Sequence, residues 1–156
     1  MEGHGQIGFS KGVHDYYAHY ADNADAKIAA LFAVNLAVAG LMMSNPPDDC
    51  AVATLLFWLA IALHAAAGFL LGLGIYPRVT GPGVDVLFWE RVREQPSASE
   101  YADEVAKLSE TAVERVYAEN NYHVANVLHR KFKAIRAALW LTGLALGLGA
   151  VAVLAA

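Results

Sequence analysis

The histidines, the cysteine and the glycines of this chain are not spaced for catalysis or metal binding. His14 and His19 are five residues apart, and His123 and His129 are six apart, whereas neighbours on one helix face are three or four apart. Cys50 is the only cysteine, so no disulfide forms within the chain. There is neither a phosphate-binding glycine loop nor a His-Glu-x-x-His pattern. We therefore expect a protein that is not an enzyme, with no catalytic residues, metal or cofactor.

Two polar residues interrupt long apolar runs. Asn35 lies within residues 26–43, and His64 lies within residues 51–75. Polar side chains inside a membrane helix usually face the interior of the bundle and bond to another helix. Two interpretations stay open: a satisfied packing contact, or the lining of a conducting path with a gating role.

Charged residues mark the starts of the first and the last apolar runs. Asp25 and Lys27 lie at the start of the first run, and Arg136 precedes residues 137–156. Asp25 and Lys27 cannot pair, because residues two apart do not face each other on a helix. Lys27 either snorkels to the membrane surface or pairs with an acid on a neighbouring helix and senses its position. We expect these residues at the mouth of the helix bundle, as gating candidates.

The three apolar runs have about the length that crosses a bilayer core of roughly 30 Å. They are residues 26–43, 51–75 and 137–156. Hydrophobic residues make up 57% and charged residues 17% of the 156-residue chain, against about 45–50% and 25% in soluble domains. The sequence predicts an all-α membrane protein with three transmembrane helices. The net charge of -4 does not indicate nucleic-acid binding.

The segments outside these runs are predicted to be helical. Residues 1–25 read as an N-terminal amphipathic helix, and residues 76–136 as a helical insertion between the second and third spans. Ser97 and Glu100 have the spacing of a capping box. We expect one long helix to run from Ser97 into the third span.

Basic residues are confined to one side of the predicted membrane. Lys11 lies before the first span and Lys27 at its start, and the other nine of the eleven Lys and Arg lie from Arg78 to Arg136. The three spans predict a multi-pass membrane protein, and its orientation follows because positively charged loops stay in the cytosol. Its N-terminus and the insertion are cytosolic, and its C-terminus lies on the other side.

Glycines four residues apart occur in two of the spans. They are Gly68 with Gly72 and Gly143 with Gly147. Small residues at this spacing let helices approach closely, and lipid supplies no hydrophobic drive, so such faces guide helix packing and association. Because three spans per chain are too few to enclose a pore, we predict a homo-oligomer.

Several short motifs occur in a definite order relative to the three spans. They are Asp25-Ala26-Lys27-Ile28 at the start of the first span, Asn35 within it, Tyr76-Pro77-Arg78 after the second, the pairs Phe88-Trp89 and Glu100-Tyr101, and Lys131 and Arg136 before the third. In this order, from about residue 22 to the C-terminus, the chain resembles the Pycsar transmembrane effectors of bacterial antiphage defence. Ile28 departs from the pattern, since the family more often has a small residue there.

The resemblance implies a signalling role. A partner cyclase makes a cyclic pyrimidine mononucleotide, cyclic CMP or cyclic UMP, when phage infects. The effector senses this nucleotide and impairs the bacterial inner membrane, and infection is aborted. The implied partners are the lipid bilayer, further copies of the chain and the nucleotide. The alternative is a non-enzymatic membrane scaffold or sensor that passes a signal to a soluble partner.

A cyclic mononucleotide presents one anionic phosphate, a ribose hydroxyl and a flat base, which call for cations, a carboxylate or amide, and an aromatic face. The candidates for ligand binding are Arg78, Arg91 and Lys131 for the phosphate, Trp89 and Tyr101 for the base, and Glu100 and Asn126 for the ribose. The alternative readings are a topological anchor for Arg78, a solvated face for Arg91, packing for Trp89 and membrane flanking for Lys131. The insertion is too short and too helical for a β-roll nucleotide domain. We therefore expect a site between helices or between subunits.

Overall fold

The computed structural model describes residues 3–47, 50–75 and 92–155. Within these residues the helices are α1 (Gly3–Met43), α2 (Ala51–Ile75), α3 (Ala98–Ala106) and α4 (Glu110–Ala155). Three of them, α1, α2 and α4, are long and apolar enough to cross a membrane. The prediction of an all-α protein with three candidate membrane-spanning helices is therefore confirmed.

Several predicted features lie outside the described residues. They are the Tyr76-Pro77-Arg78 motif, the aromatic pair Phe88-Trp89, and Arg91. Three of the seven ligand candidates are among them, so the phosphate and base contacts assigned to Arg78, Trp89 and Arg91 stay predictions.

The long helix predicted from Ser97 is divided in two by residues 107–109. α3 begins as predicted, since Ser97 Oγ accepts the amide of Glu100 at 3.2 Å. Two amides of the dividing segment bond carbonyls three residues back, at 3.3 and 3.1 Å, and so end α3 in a tight turn. Ser109 then starts a new helix, because its Oγ accepts the amide of Ala112 at 3.2 Å. The prediction of one helix from Ser97 was wrong for this reason, whereas α4 runs unbroken to Ala155.

The chain divides into two compact units. Unit 1 comprises residues 1–21 and 78–128, and unit 2 comprises residues 22–77 and 129–156. α2 belongs to unit 2 and α3 to unit 1. α1 and α4 are each divided between the two units.

Unit 2 is a bundle of three helical segments packed around small side chains. Its core cluster consists of Ala24 and Ile28 from α1, Ala67 and Leu71 from α2, and Ile135 and Ala138 from α4. Small residues suit this bundle because lipid does not drive apolar helices together, so contact depends on close approach. Two glycines permit such approach. A Cβ on Gly74 would lie 3.1 Å from Ile28 Cδ1, and one on Gly149 would lie 3.0 Å from Met42 Cε.

Unit 1 joins the start of α1 to the start of α4 through polar and aromatic contacts. The side-chain amide of Asn121 donates to the Ser10 carbonyl at 2.9 Å, and both residues are buried. Asn120 Nδ2 lies 3.2 Å from His14 Nδ1. The His14 ring meets the Tyr117 ring edge-on, with 5.7 Å between their centroids. Specific hydrogen bonds therefore set the register of these two helices.

Candidate functional site

A buried polar cluster joins α1, α2 and α4 in unit 2. Each helix contributes one residue: Asn35 from α1, His64 from α2 and Thr142 from α4. His64 Nδ1 lies 2.8 Å from Asn35 Oδ1, and Thr142 Oγ1 lies 3.0 Å from the same oxygen. All three residues are buried. We refer to them as the polar triad.

The orientation of the Asn35 amide assigns the proton on His64. Asn35 Nδ2 donates to the Leu31 carbonyl at 2.8 Å, so Oδ1 is the atom that meets the other two helices. An amide oxygen only accepts, and therefore His64 Nδ1 carries the donated proton. Thr142 has one hydroxyl proton and two acceptors within reach, Asn35 Oδ1 at 3.0 Å and the Ala138 carbonyl at 2.8 Å. Its hydroxyl therefore either links helices or bonds back to α4.

The other ring nitrogen of His64 is buried and has no hydrogen-bond partner among the described residues. With the proton on Nδ1, a neutral imidazole presents a lone pair at Nε2. A buried acceptor without a donor costs about 1–3 kcal/mol. A rearrangement of the bundle that brings a donor to Nε2 would recover this free energy.

The polar triad borders a groove of about 560 Å³ between α1 and α2. Asn35 and His64 line this groove together with Gly68 and Gly72. A Cβ on Gly68 would lie 3.8 Å from the Phe32 ring, whereas a Cβ on Gly72 would meet nothing within 4 Å. The structure thus brings two of the gating candidates and the first predicted glycine pair to one place in unit 2.

The second predicted glycine pair faces away from the bundle core. Gly143 and Gly147 are exposed, and a Cβ at either position would meet nothing within 4 Å. Close helix approach in unit 2 is made at Gly74 and Gly149 instead. The role of the Gly143–Gly147 pair in association between chains stays a prediction.

An ion pair joins α1 to α4 in unit 2. Lys131 Nζ lies 2.6 Å from Asp25 Oδ1 and 2.8 Å from Asp25 Oδ2. Lys131, a candidate for the ligand phosphate, is thus engaged by a carboxylate and is only 17% exposed. Lys27 is exposed, with Nζ 5.7 Å from the centroid of the Phe132 ring. Asp25 is on the same helix as Lys27, and its partner is Lys131 of α4. Among the described residues Lys27 forms no ion pair with an acid on a neighbouring helix. We refer to Asp25 and Lys131 as the clamp.

The remaining candidates lie in both units. Glu100 and Tyr101 belong to α3, and Asn126 to α4, all three in unit 1. Asn126 is exposed, and its side chain donates to the Tyr122 carbonyl at 2.9 Å, which leaves its amide oxygen available. Arg136 is exposed on α4 in unit 2. No group of three His, Cys, Asp or Glu side chains in the described ranges is placed to hold a metal ion.

Thr142 carries a sequence signal that our prediction did not use. It is the only Ser, Thr, Asn or Gln in residues 137–156. A threonine in a helix can bond the carbonyl four residues back, so its presence in a span does not by itself predict a partner on another helix. The contact between Thr142 and Asn35 depends on how α1 and α4 pack together.

The fold and the site together define a helical protein suited to a membrane, with three apolar helices joined by one buried polar cluster. A family model described as the Pycsar effector protein domain matches residues 9–156. The chain belongs to the Pycsar effector family, as the order of its motifs predicted. This membership implies an effector of antiphage defence rather than a cyclase. No curated protein and no solved structure matches the chain.

Proposed function

We propose that this protein senses a cyclic pyrimidine mononucleotide and impairs the bacterial inner membrane, so that the infected cell stops supporting the phage. The family match over residues 9–156 is the observation that carries the proposal. Three helices that are long and apolar enough to cross a bilayer support action at the membrane. The proposed ligand is cyclic CMP or cyclic UMP, made by a partner cyclase.

The proposed orientation has a cytosolic N-terminus and a periplasmic or extracellular C-terminus. The distribution of Lys and Arg supports it, because none lies in residues 44–50 or after Arg136. Residues 76–136 then form a cytosolic insertion that can meet a soluble nucleotide. A reporter fused after Ala156 is expected to be active in the periplasm. Activity only in the cytosol would contradict this orientation.

The polar triad is the proposed latch of the resting bundle. It places His64 and Thr142 within hydrogen-bond distance of a single oxygen of Asn35, and hydrocarbon offers the His64 proton no alternative acceptor. The unpaired Nε2 of His64 favours any arrangement that supplies a donor. We propose that the bundle has a second arrangement in which Nε2 has a donor, and that a ligand shifts the balance by binding one of the two arrangements better.

The clamp is the proposed point at which an anionic ligand acts. Lys131 binds both oxygens of the Asp25 carboxylate, and a phosphate group offers a similar pair of oxygens. A ligand phosphate that takes Lys131 leaves Asp25 without its cation and weakens the contact between α1 and α4. This step connects the sensing of an anion to the packing of unit 2.

Self-association belongs to the proposal, because three spans per chain are too few to enclose a pore. Gly143 and Gly147 support it as an exposed pair of small residues on a helix that is apolar enough to span. The mass of the detergent-extracted protein is expected to be that of several chains. A mass of one chain both with and without nucleotide would contradict this part.

Calorimetry on the full chain in lipid nanodiscs tests the ligand. Cyclic CMP or cyclic UMP is expected to bind, and cyclic AMP and cyclic GMP to bind much more weakly. Arg78→Ala and Lys131→Ala are each expected to weaken binding about tenfold or more, since a hydrogen bond to a charged group contributes about 1.5–3 kcal/mol. Arg115→Ala, which removes an exposed cation paired with Glu119, is the control. Unchanged affinity in both test variants would contradict the proposed contacts, and absence of binding would contradict sensing by this chain.

A further inference from the structure

One face of α4 in unit 2 carries cations followed by an aromatic ring. His129, Lys133, Arg136 and Trp140 follow one another at spacings of three or four residues, so they share one side of the helix. All four are exposed, and Trp140 is 78% exposed. Ile135, on the opposite side, is buried in the core cluster. This cation–tryptophan face therefore points away from α1 and α2.

Neither cation of this face has a carboxylate partner in the described ranges. Lys131 lies on another side of α4 and is paired with Asp25. Lys133 and Arg136 form no ion pair within residues 3–47, 50–75 and 92–155. Among the described residues, these two positive charges on adjacent turns, next to an exposed apolar helix, are therefore available to an anion such as a lipid phosphate.

The side chains that follow on the same face match a lipid rather than a soluble ion. Leu144 and Val151, four and eleven residues after Trp140, continue the same face, and both are exposed. The order is two cations, then an indole, then an apolar surface. It corresponds to the order of phosphate, glycerol region and acyl chains in a phospholipid, with the tryptophan at the interfacial depth.

We propose that Lys133, Arg136 and Trp140 form a binding site for the headgroup of an anionic phospholipid. Lys133 and Arg136 contact the phosphate, and Trp140 packs beside the glycerol region and donates Nε1–H to an ester carbonyl. Charge complementarity selects an anionic headgroup, because phosphatidylcholine brings a cation of its own whereas phosphatidylglycerol does not. The proposal rests on membrane insertion of α4 and on no other part of the proposed function.

Native mass spectrometry of the full chain in a mild detergent tests the site. Phosphatidylglycerol and phosphatidylcholine are offered at equal concentration, without any cyclic nucleotide. Phosphatidylglycerol is expected to be retained on the order of fivefold better or more, which corresponds to the attraction of about one cation to an anionic surface. The double variant Lys133→Gln/Arg136→Gln is expected to lose this preference, and Trp140→Phe to weaken retention less. The control is Lys107→Gln/Arg115→Gln, which removes the same charge from exposed positions in unit 1.

The outcomes that contradict the lipid site can be told apart from the one that also contradicts the proposed function. Equal retention of the two lipids, or a preference that survives in the Lys133→Gln/Arg136→Gln variant, overturns the lipid site. Displacement of phosphatidylglycerol by inorganic phosphate also overturns it, because the site then binds a free phosphate. Flotation with phosphatidylcholine vesicles checks insertion by itself. A protein that does not float contradicts the proposed function as well, whereas one that floats without lipid preference contradicts this site alone.

Discussion

Asn35 Oδ1 is the atom on which three apolar helices of unit 2 converge. His64 Nδ1 donates to it at 2.8 Å, and Thr142 Oγ1 lies 3.0 Å away. That Asn35 and His64 face another helix was predictable, because hydrocarbon supplies no partner for a polar side chain. Which residue each one meets was not, since the pairing depends on the relative rotation of helices far apart in sequence. For this reason Thr142 was not predicted as part of the site.

A double-mutant cycle measures the bond between Asn35 and His64. Asn35→Leu and His64→Leu remove one partner each, and the double variant removes both. The coupling free energy is expected to be on the order of 0.5–1.5 kcal/mol, the range of hydrogen bonds between membrane helices. Unfolding by titration with sodium dodecyl sulfate, followed by circular dichroism, gives the values. Effects that add to within about 0.3 kcal/mol would show that the two side chains do not interact.

Thr142 has a matched control in Thr54. Both hydroxyls bond the carbonyl four residues back, at 2.8 Å for Thr142 and 3.0 Å for Thr54, but only Thr142 also reaches Asn35. Thr142→Val is therefore expected to lower the free energy of unfolding by about 0.5 kcal/mol more than Thr54→Val. The same unfolding titration compares them. Equal losses would mean that the Thr142 hydroxyl contributes only to its own helix.

At the scale of elements, helix type was predictable for residues 3–47, 50–75 and 92–155, whereas helix ends were not. The apolar runs predicted helices because of their length, and Ser97 predicted the start of α3. The break at residues 107–109 was missed because Ser109 has no Glu or Gln three residues later to mark it as a cap. The Ser109 hydroxyl nevertheless accepts the amide of Ala112, which is enough to start α4.

Ser109→Ala tests this cap. The substitution leaves an amide of the first turn of α4 without its acceptor and is expected to lower the free energy of unfolding by about 1 kcal/mol. Ser109→Asp keeps an acceptor at the same position and is expected to preserve stability. If Ser109→Ala were as stable as Ser109→Asp, the hydroxyl would have no role in starting the helix.

The clamp between α1 and α4 is tested by exchanging the charges of Asp25 and Lys131. Asp25→Lys and Lys131→Asp each place like charges opposite one another, whereas the double variant restores the pair in reverse. Each single variant is expected to lose about 0.5–1 kcal/mol, since the Asp25 side chain is 50% exposed and solvent screens the pair. The double variant is expected to regain most of it. A double variant less stable than either single one would contradict a direct interaction between these side chains.

At the scale of the whole molecule, the order of short motifs predicted the family, and the family model confirms it over residues 9–156. The predicted spans agree with three helices long and apolar enough to cross a membrane. The orientation and the ligand stay predictions, because they depend on a bilayer and a nucleotide whose contacts involve several segments at once. Lys131 illustrates this. As a cation it suited a phosphate, and its Asp25 partner lies 106 residues away.

Dye release from proteoliposomes that contain the full chain tests the central claim, that a cyclic pyrimidine nucleotide makes this protein impair a membrane. Cyclic CMP or cyclic UMP is expected to release the trapped dye, whereas cyclic AMP, cyclic GMP and protein-free vesicles release none. The Asn35→Leu/His64→Leu variant, which lacks the latch, is expected to leak without nucleotide. If neither cyclic CMP nor cyclic UMP released dye from vesicles with inserted, nucleotide-binding protein, the effector claim would be contradicted. A membrane sensor that passes its signal to a soluble partner would then be the better account.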